Sequence, residues 1–161
     1  MLVNNRTWHH SIERLRRLLG GAPSRVQVAA LPYRLVDGET EIMLITSKDT
    51  GRWVLPKGWP EGDEAGHDAA GREAMEEAGI RGAIAKDETG RYFYGKGLRS
   101  GLKQRCEVIV FPLAVEQVSS KWPEKGERLR RWFKPHEAAR VVNEPDLAEI
   151  LADFHPAKIR P

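Results

Sequence analysis

A chain of 161 residues, 40% of them hydrophobic, is long enough to bury a core without staples and is expected to form one domain. Its formal net charge of +3 permits a phosphorylated or nucleic-acid partner without demanding one, and its single cysteine, Cys106, excludes an internal disulfide or a cysteine-rich metal centre. No apolar run reaches membrane-spanning length, and the basic N-terminus lacks an apolar signal core, so a cytoplasmic protein with no membrane partner is expected.

In chain order, Trp8, Ile12, Leu15 and Leu19 recur at helical spacing, and Gly20-Gly21 ends the pattern. An amphipathic helical extension over residues 1–22 is expected, ahead of a domain over 23–161. RVQVAALPYRLV and EIMLITS flank Asp37-Gly38 and predict a hairpin. RWVLP predicts a short strand ending at Pro56. A helix is expected over Gly66–Ala78, closed by Gly79 in the left-handed conformation. Strand-like stretches then lie on both sides of a turn at Gly90. QRCEVIVFPLAVEQV is the strongest strand signal, and Pro112 inside it predicts an edge, a bulge or a strand boundary. RLRRWF reads as a last strand. Pro135 opens a short helix and Pro145 a closing one, with Leu147, Ile150, Leu151 and Phe154 as its buried stripe. Strands and helices mix without repeats, which predicts a mixed sheet with helices against it, in an α/β or α+β arrangement.

The helix over Gly66–Ala78 carries the chemistry. Glu73, Glu76 and Glu77 share one face. Gly71, Ala74 and Ala78 fall on the other, which predicts a buried face of very small side chains and a close approach at Gly71. The like charges of Glu73 and Glu77, four residues apart, cost about 0.2–0.5 kcal/mol in an isolated helix. Glu76 and Glu77 also sit at the helix C-terminus, where the dipole disfavours anions. A bound divalent cation would reverse each penalty. Oxygen donors without a histidine pair point to a hard ion, Mg2+ or Mn2+. An ordinary solvated acidic face is the competing explanation.

The spacing separates the two. Gly58, five residues, Glu64, seven residues, then Arg72-Glu73-Ala74-Met75-Glu76-Glu77-Ala78-Gly79-Ile80 resembles the Nudix box at every fixed position. Thr46 to Gly58 resembles the strand and loop that lead into that box. Trp122 to Val142 resembles the corresponding segment of the diphosphoinositol polyphosphate and diadenosine polyphosphate hydrolases of the same superfamily. The similarity spans roughly Arg25 to Phe154. The resemblance implies an α/β/α sandwich around a mixed sheet. It also implies metal-dependent hydrolysis of a phosphoanhydride in a nucleoside diphosphate-linked or diphosphoinositol-type compound. Glu73, Glu76 and Glu77 would hold the metal with the Gly58 carbonyl, and Arg72 would orient the glutamates by pairing with Glu64. One glutamate would take the proton of the attacking water, and the roles of the three stay open.

Substrate choice lies outside the box. Arg25, Lys48, Arg52, Lys103, Arg105, Arg128 and Arg130 are the candidate phosphate contacts. Convergence of Arg25, Lys48 and Arg105 on one cleft would favour highly phosphorylated small molecules, such as diadenosine polyphosphates or inositol pyrophosphates. ADP-ribose and the 5′ end of an RNA are alternatives, and a non-catalytic ligand-binding or regulatory module is the alternative of another class. The glycine-rich, basic stretch Gly95–Gly101 is a candidate phosphate-contacting flap. Tyr92, Phe93 and Tyr94 either stack on a base or pack beneath that loop. A monomer or a homodimer is expected.

Overall fold

The computed structural model describes residues 25–159. The helical extension expected over 1–22 lies outside the described residues. Strands β1 (Arg25–Val36) and β2 (Glu39–Thr46) form the expected hairpin. Asp37 and Gly38 both take positive φ, 51° and 80°, the tight turn whose twist matches that of the flanking strands. Two short strands follow, β3 (Trp53–Val54) and β4 (Lys57–Gly58). Helix α1 (Gly66–Ala78) leads into β5 (Ile80–Ile84), β6 (Gly90–Gly97) and the long β7 (Lys103–Val118). Strand β8 (Arg130–Phe133), helix α2 (Pro135–Val141) and helix α3 (Pro145–Ala152) complete the order. The turn expected at Gly90 falls just before it, since Gly90 is already the first residue of β6.

One mixed sheet runs β3-β2-β1-β7-β5, with β4 added to β1, β6 to β7 and β8 to β2. Strands β1 and β7 pair in parallel, and the other pairings are antiparallel. Side chains alternate across the sheet and build a core on each face. Ala29, Leu31, Ile42, Leu44, Tyr92, Val108 and Val110 pack against Ala138 of α2 and Leu147, Leu151 and Phe154 around α3. Val28, Ala30, Met43, Ile45, Phe111 and Leu113 pack against Ala69, Ala70, Ala74 and Ala78 of α1. The result is an α/β/α sandwich. Full burial of Leu147 and Leu151 stabilises it by about 1.5–3 kcal/mol each.

Two sequence expectations need correction. Pro112 ends no strand: β7 continues through it, opposite Leu31 of β1. Its carbonyl accepts from Ala85 N–H at 2.8 Å on the other side, where β7 exchanges its β6 partner for β5. In a strand, N–H and C=O of one residue point the same way, so the missing donor falls at this change of partner and costs no ladder bond. Gly71 makes no close approach either, because a Cβ built there meets nothing within 4 Å. The helix buries its alanine stripe instead, and Gly71 opens onto a shallow hollow lined by Met75, Arg81, Ile84 and Leu113.

Candidate active site

Helix α1 is stopped by Gly79 in the left-handed conformation (φ 66°, ψ 36°), whose N–H returns to the Met75 carbonyl at 3.0 Å. About two turns earlier, Arg72 occupies the centre of the site. Its Nε donates to Glu64 Oε1 and its Nη2 to Glu64 Oε2, both at 3.1 Å. Nη2 also donates to the Trp59 carbonyl at 3.1 Å, and Nη1 to Glu73 Oε1 at 2.9 Å. Glu76 Oε2 lies 3.5 Å from Nη1. The guanidinium therefore ties the loop before the helix to the helix's own carboxylates. It also holds the Glu64 carboxyl below the usual range, with help from the Glu61 N–H.

The three glutamates are not equivalent. The Glu73 and Glu77 side chains are each only 12% exposed, whereas Glu76 is 41% exposed. The solvated acidic face is thus restricted to Glu76. Burial raises the Glu73 carboxyl, with Arg72 opposing. Burial also lifts Glu77 to about 6, against the Lys57 N–H and Arg128. Glu77 Oε2 accepts from the Lys57 backbone N–H at 3.0 Å, and Oε1 from Arg128 Nη2 at 2.5 Å. The Glu73 carboxylate lies so close to Gly58 that a Cβ on Gly58 would overlap it. This is the close approach that sequence reasoning placed at Gly71.

Among the described residues, no three His, Cys, Asp or Glu side chains converge on one point as a metal cluster. Arg72 stands between Glu73 and Glu76, and Glu77 is turned to Arg128. The donor chemistry nonetheless fits a hard cation. Two nearly buried carboxylates are both raised by burial; Glu73 fills the space that the missing Cβ of Gly58 leaves, and Glu77 bonds the neighbouring Lys57 N–H. Glu73, Glu77 and the Gly58 carbonyl would hold it, with Glu76 on the solvent side.

Residues from Ser119 to Arg130 clasp the end of α1. Arg130 donates from Nη1 to the Ala78 carbonyl and from Nη2 to the Ser119 carbonyl, each at 2.7 Å, and its guanidinium lies 3.9 Å from the Trp122 ring centre. Ser119 N–H bonds the Gly79 carbonyl, and Glu124 N–H the Glu76 carbonyl. The cation that the last turn of α1 lacks is thus supplied from β8, which offsets the dipole penalty on Glu76 and Glu77. Arg128 is 11% exposed; it reaches Glu77, Glu124 at 2.6 Å and the Thr46 carbonyl at 3.0 Å. Lys48 pairs with Glu124 at 2.5 Å and also with Glu127.

The candidate phosphate contacts therefore divide. Arg128, Arg130 and Lys48 are engaged by carboxylates or carbonyls of the clasp. Arg52 donates to Thr50 Oγ1 at 3.1 Å in the exposed loop after β2. Lys103 is exposed at the start of β7. Arg25 pairs in register with Cys106, which puts Arg105 on the other face of the sheet, 4.4 Å from the Phe93 ring. The expected convergence of Arg25, Lys48 and Arg105 is not formed, because strand alternation separates two of them and acids hold the third.

A different group gathers beside Gly58. Register pairs Lys57 with Ala29 and Gly58 with Val28, so β4 turns Gly58 toward α1 and Lys57 to the opposite face. There the Lys57 ammonium lies 5.1 Å from the Tyr94 ring, and Tyr94 Oη donates to the buried Gln27. Burial pushes the Lys57 ammonium down, Glu77 and Glu144 push it up, and Arg128 and Lys96 push it down further. Arg25 and Lys96 lie 4.7 and 5.5 Å from the Trp59 ring centre. Sequence reasoning passed over Lys57, Trp59 and Glu144. Adjacency to Gly58 was the available signal for the first two.

A mixed sheet between helices, with a carboxylate-bearing helix locked by an arginine, frames the candidate site. The NUDIX domain model matches residues 25–154, and the chain belongs to that family. It is 32% identical over 147 residues to Nudix hydrolase 13, mitochondrial, of Arabidopsis thaliana, covering 81% of this chain and 73% of that protein. It is 28% identical to diphosphoinositol polyphosphate phosphohydrolase 2 of Rattus norvegicus, over 78% of this chain and 68% of the relative. Among solved structures, the C. elegans Ap4A hydrolase shares the fold with a TM-score of 0.57 at 20% identity, covering 80% of this chain and 94% of that one. The chain is a Nudix pyrophosphohydrolase; enzymes of this family act on small phosphorylated substrates and generally need a divalent metal ion.

Proposed function

We propose that this enzyme hydrolyses a phosphoanhydride bond in a highly phosphorylated small molecule, of the diadenosine polyphosphate or inositol pyrophosphate type, with Mg2+ or Mn2+ at Glu73, Glu77 and Gly58. The observation that supports this most is the positive group of Arg25, Lys57 and Lys96 beside Gly58, on the side of β4 opposite the buried glutamates. The rat relative bears the name of a diphosphoinositol polyphosphate phosphohydrolase, which agrees with such a substrate. A bound divalent ion would polarise the phosphoryl oxygens and make a coordinated water more acidic. Arg72 fixes Glu73, while Arg128 and the Lys57 N–H fix Glu77. Glu76, the most exposed of the three, is assigned the proton of the attacking water. The water oxygen bonds to phosphorus, the P–O anhydride bond breaks, and its electron pair leaves on the departing phosphate.

The full set of box glutamates disfavours a purely regulatory module. No helix among the described residues is long and apolar enough to cross a membrane. The lone, buried Cys106 agrees with a reducing compartment and supports a cytoplasmic location. The test is a hydrolysis screen in Mg2+ and in Mn2+ over diadenosine polyphosphates, inositol pyrophosphates, ADP-ribose, nucleoside triphosphates and 5′-triphosphate RNA. The first two groups should have the highest kcat/KM. A clear preference for ADP-ribose or for RNA would overturn the substrate assignment.

A further inference from the structure

We infer that Arg25, Trp59 and Lys96 form a subsite for the phosphate chain beyond the scissile bond, selecting substrates by phosphate number and not by base. The inference rests on the proposed hydrolase reading and narrows it to named residues. Three elements each supply one member: the start of β1, the loop after β4, and β6. Both cations lie within cation–π range of the same indole. The main chain at Trp59 is anchored, because its carbonyl accepts from Arg72 Nη2, the same group that holds Glu64. Trp59 also directly follows Gly58, whose backbone abuts the Glu73 carboxylate. Trp59 is therefore one position along the chain from Gly58, and its main chain shares Arg72 with the glutamates.

Ion pairing separates these cations from Arg72, Arg128 and Lys48, while Arg130, also on a ring and without a carboxylate, spends its donors on the Ala78 and Ser119 carbonyls. Arg72, Arg128 and Lys48 are each ion-paired with carboxylates. Among the described residues, neither Arg25 nor Lys96 forms an ion pair with a carboxylate. A cation held by a ring face keeps its net charge and its N–H donors. A cation already paired with an acid must surrender that partner before it takes a phosphate. Lys57 is close enough to Lys96 for their charges to repel, with Glu144 and Glu77 as the acids that act on Lys57. A polyanion placed between these groups relieves that repulsion. The indole's π density is committed to two cations, so its part is to hold charge in place and not to stack on a base.

The experiment measures kcat/KM in Mg2+ for diadenosine substrates with three to six phosphates, and binding of inorganic tripolyphosphate to the metal-free protein by calorimetry. The proteins are the parent, Arg25→Gln, Lys96→Gln, Trp59→Leu and Trp59→Phe. The parent's kcat/KM should rise with phosphate number. Each charge removal should lower it about tenfold on the longest substrate, chiefly through KM, with a smaller loss on the shortest. Trp59→Leu keeps both charges and should lose the same selectivity, whereas Trp59→Phe keeps a ring and should restore most of it. Replacing adenine by guanine should shift the parent's kcat/KM by less than about twofold, because the subsite makes no base contact. Equal losses on every substrate, an unchanged length dependence in the variants, or strong base preference would overturn the subsite. If the parent hydrolyses none of these compounds, the substrate assignment falls, and the tripolyphosphate arm decides the subsite alone. Binding by the parent that weakens in Arg25→Gln and Lys96→Gln upholds it, and no binding by the parent overturns it.

Discussion

Two basic regions flank the glutamates of α1, and they are wired in opposite ways. In the clasp, Lys48, Arg128 and Arg130 are saturated by Glu77, Glu124, Glu127 and main-chain carbonyls. At the rim beside Gly58, Arg25 and Lys96 rest on Trp59, and Lys57 lies near Tyr94. The difference teaches that local density of Lys and Arg does not identify a phosphate site. A paired guanidinium in a nearly dry setting positions a carboxylate. Arg25 and Lys96, on an aromatic face and without a carboxylate partner among the described residues, are left with charge to offer.

The largest expected effect lies in the clasp. Arg128→Ala leaves Glu77 nearly buried without its guanidinium, and breaking such a pair costs about 3–5 kcal/mol. Denaturant unfolding should show that loss, and kcat should fall with it on every substrate. A defect confined to KM and growing with phosphate number would move Arg128 to the rim's role and erase the distinction.

A smaller effect follows from Glu77 itself. Its carboxyl is raised from 4.5 to about 6 in the folded protein. Between those values the folded state holds a proton that the unfolded state has released. The destabilisation is therefore absent below about pH 4.5 and fully present above about pH 6, on the order of 2 kcal/mol. Glu73 shifts the same way, while Glu64 and Glu124 shift downward and act with the opposite sign. Unfolding of the metal-free protein against pH, minus the same curve for Glu77→Gln, isolates the contribution. A difference that is flat from pH 4 to 7 would mean that the clasp and Lys57 N–H fully compensate the burial of Glu77.

Lys48→Ala should have the smallest effect. Its pair with Glu124 is part-exposed, so the loss should be about 0.2–1 kcal/mol in thermal or chemical unfolding. The phosphate-number dependence of kcat/KM should match the parent's. A dependence flattened as strongly as in Lys96→Gln would place Lys48 in the substrate path.

What could be read from the sequence was local. Asp37-Gly38 marks the hairpin and Gly79 the end of α1, and the resemblance of Gly58 to Ile80 to the Nudix box implies the pairing of Arg72 with Glu64. What escaped depends on partners distant along the chain. Arg128 meets Glu77 across 51 positions and the Thr46 carbonyl across 82, and no periodicity encodes such pairs. Pro112 reads from the sequence as an edge, a bulge or a strand boundary, because a local pattern cannot show that β7 changes partner there. Gly71 looked packed because a helical wheel ranks faces by residue size, whereas the sheet sits on Ala70, Ala74 and Ala78. Arg25 and the basic stretch Gly95–Gly101 are candidates from the sequence, but their meeting at Trp59 is not legible there, because the three come from separate elements.

The central claim is that the nearly buried carboxylates of α1 carry the hydrolysis, and Glu77→Gln tests it most directly, since the side chain keeps its shape and loses its charge. Its kcat should be measured at saturating Mg2+ on the best substrate of the screen, with circular dichroism of both proteins. The account predicts an intact fold and a loss of at least about a hundredfold, the scale expected when electrostatic stabilisation of a phosphoryl transfer is removed. A folded Glu77→Gln enzyme within about threefold of the parent, a difference of under 1 kcal/mol in the barrier, would contradict it.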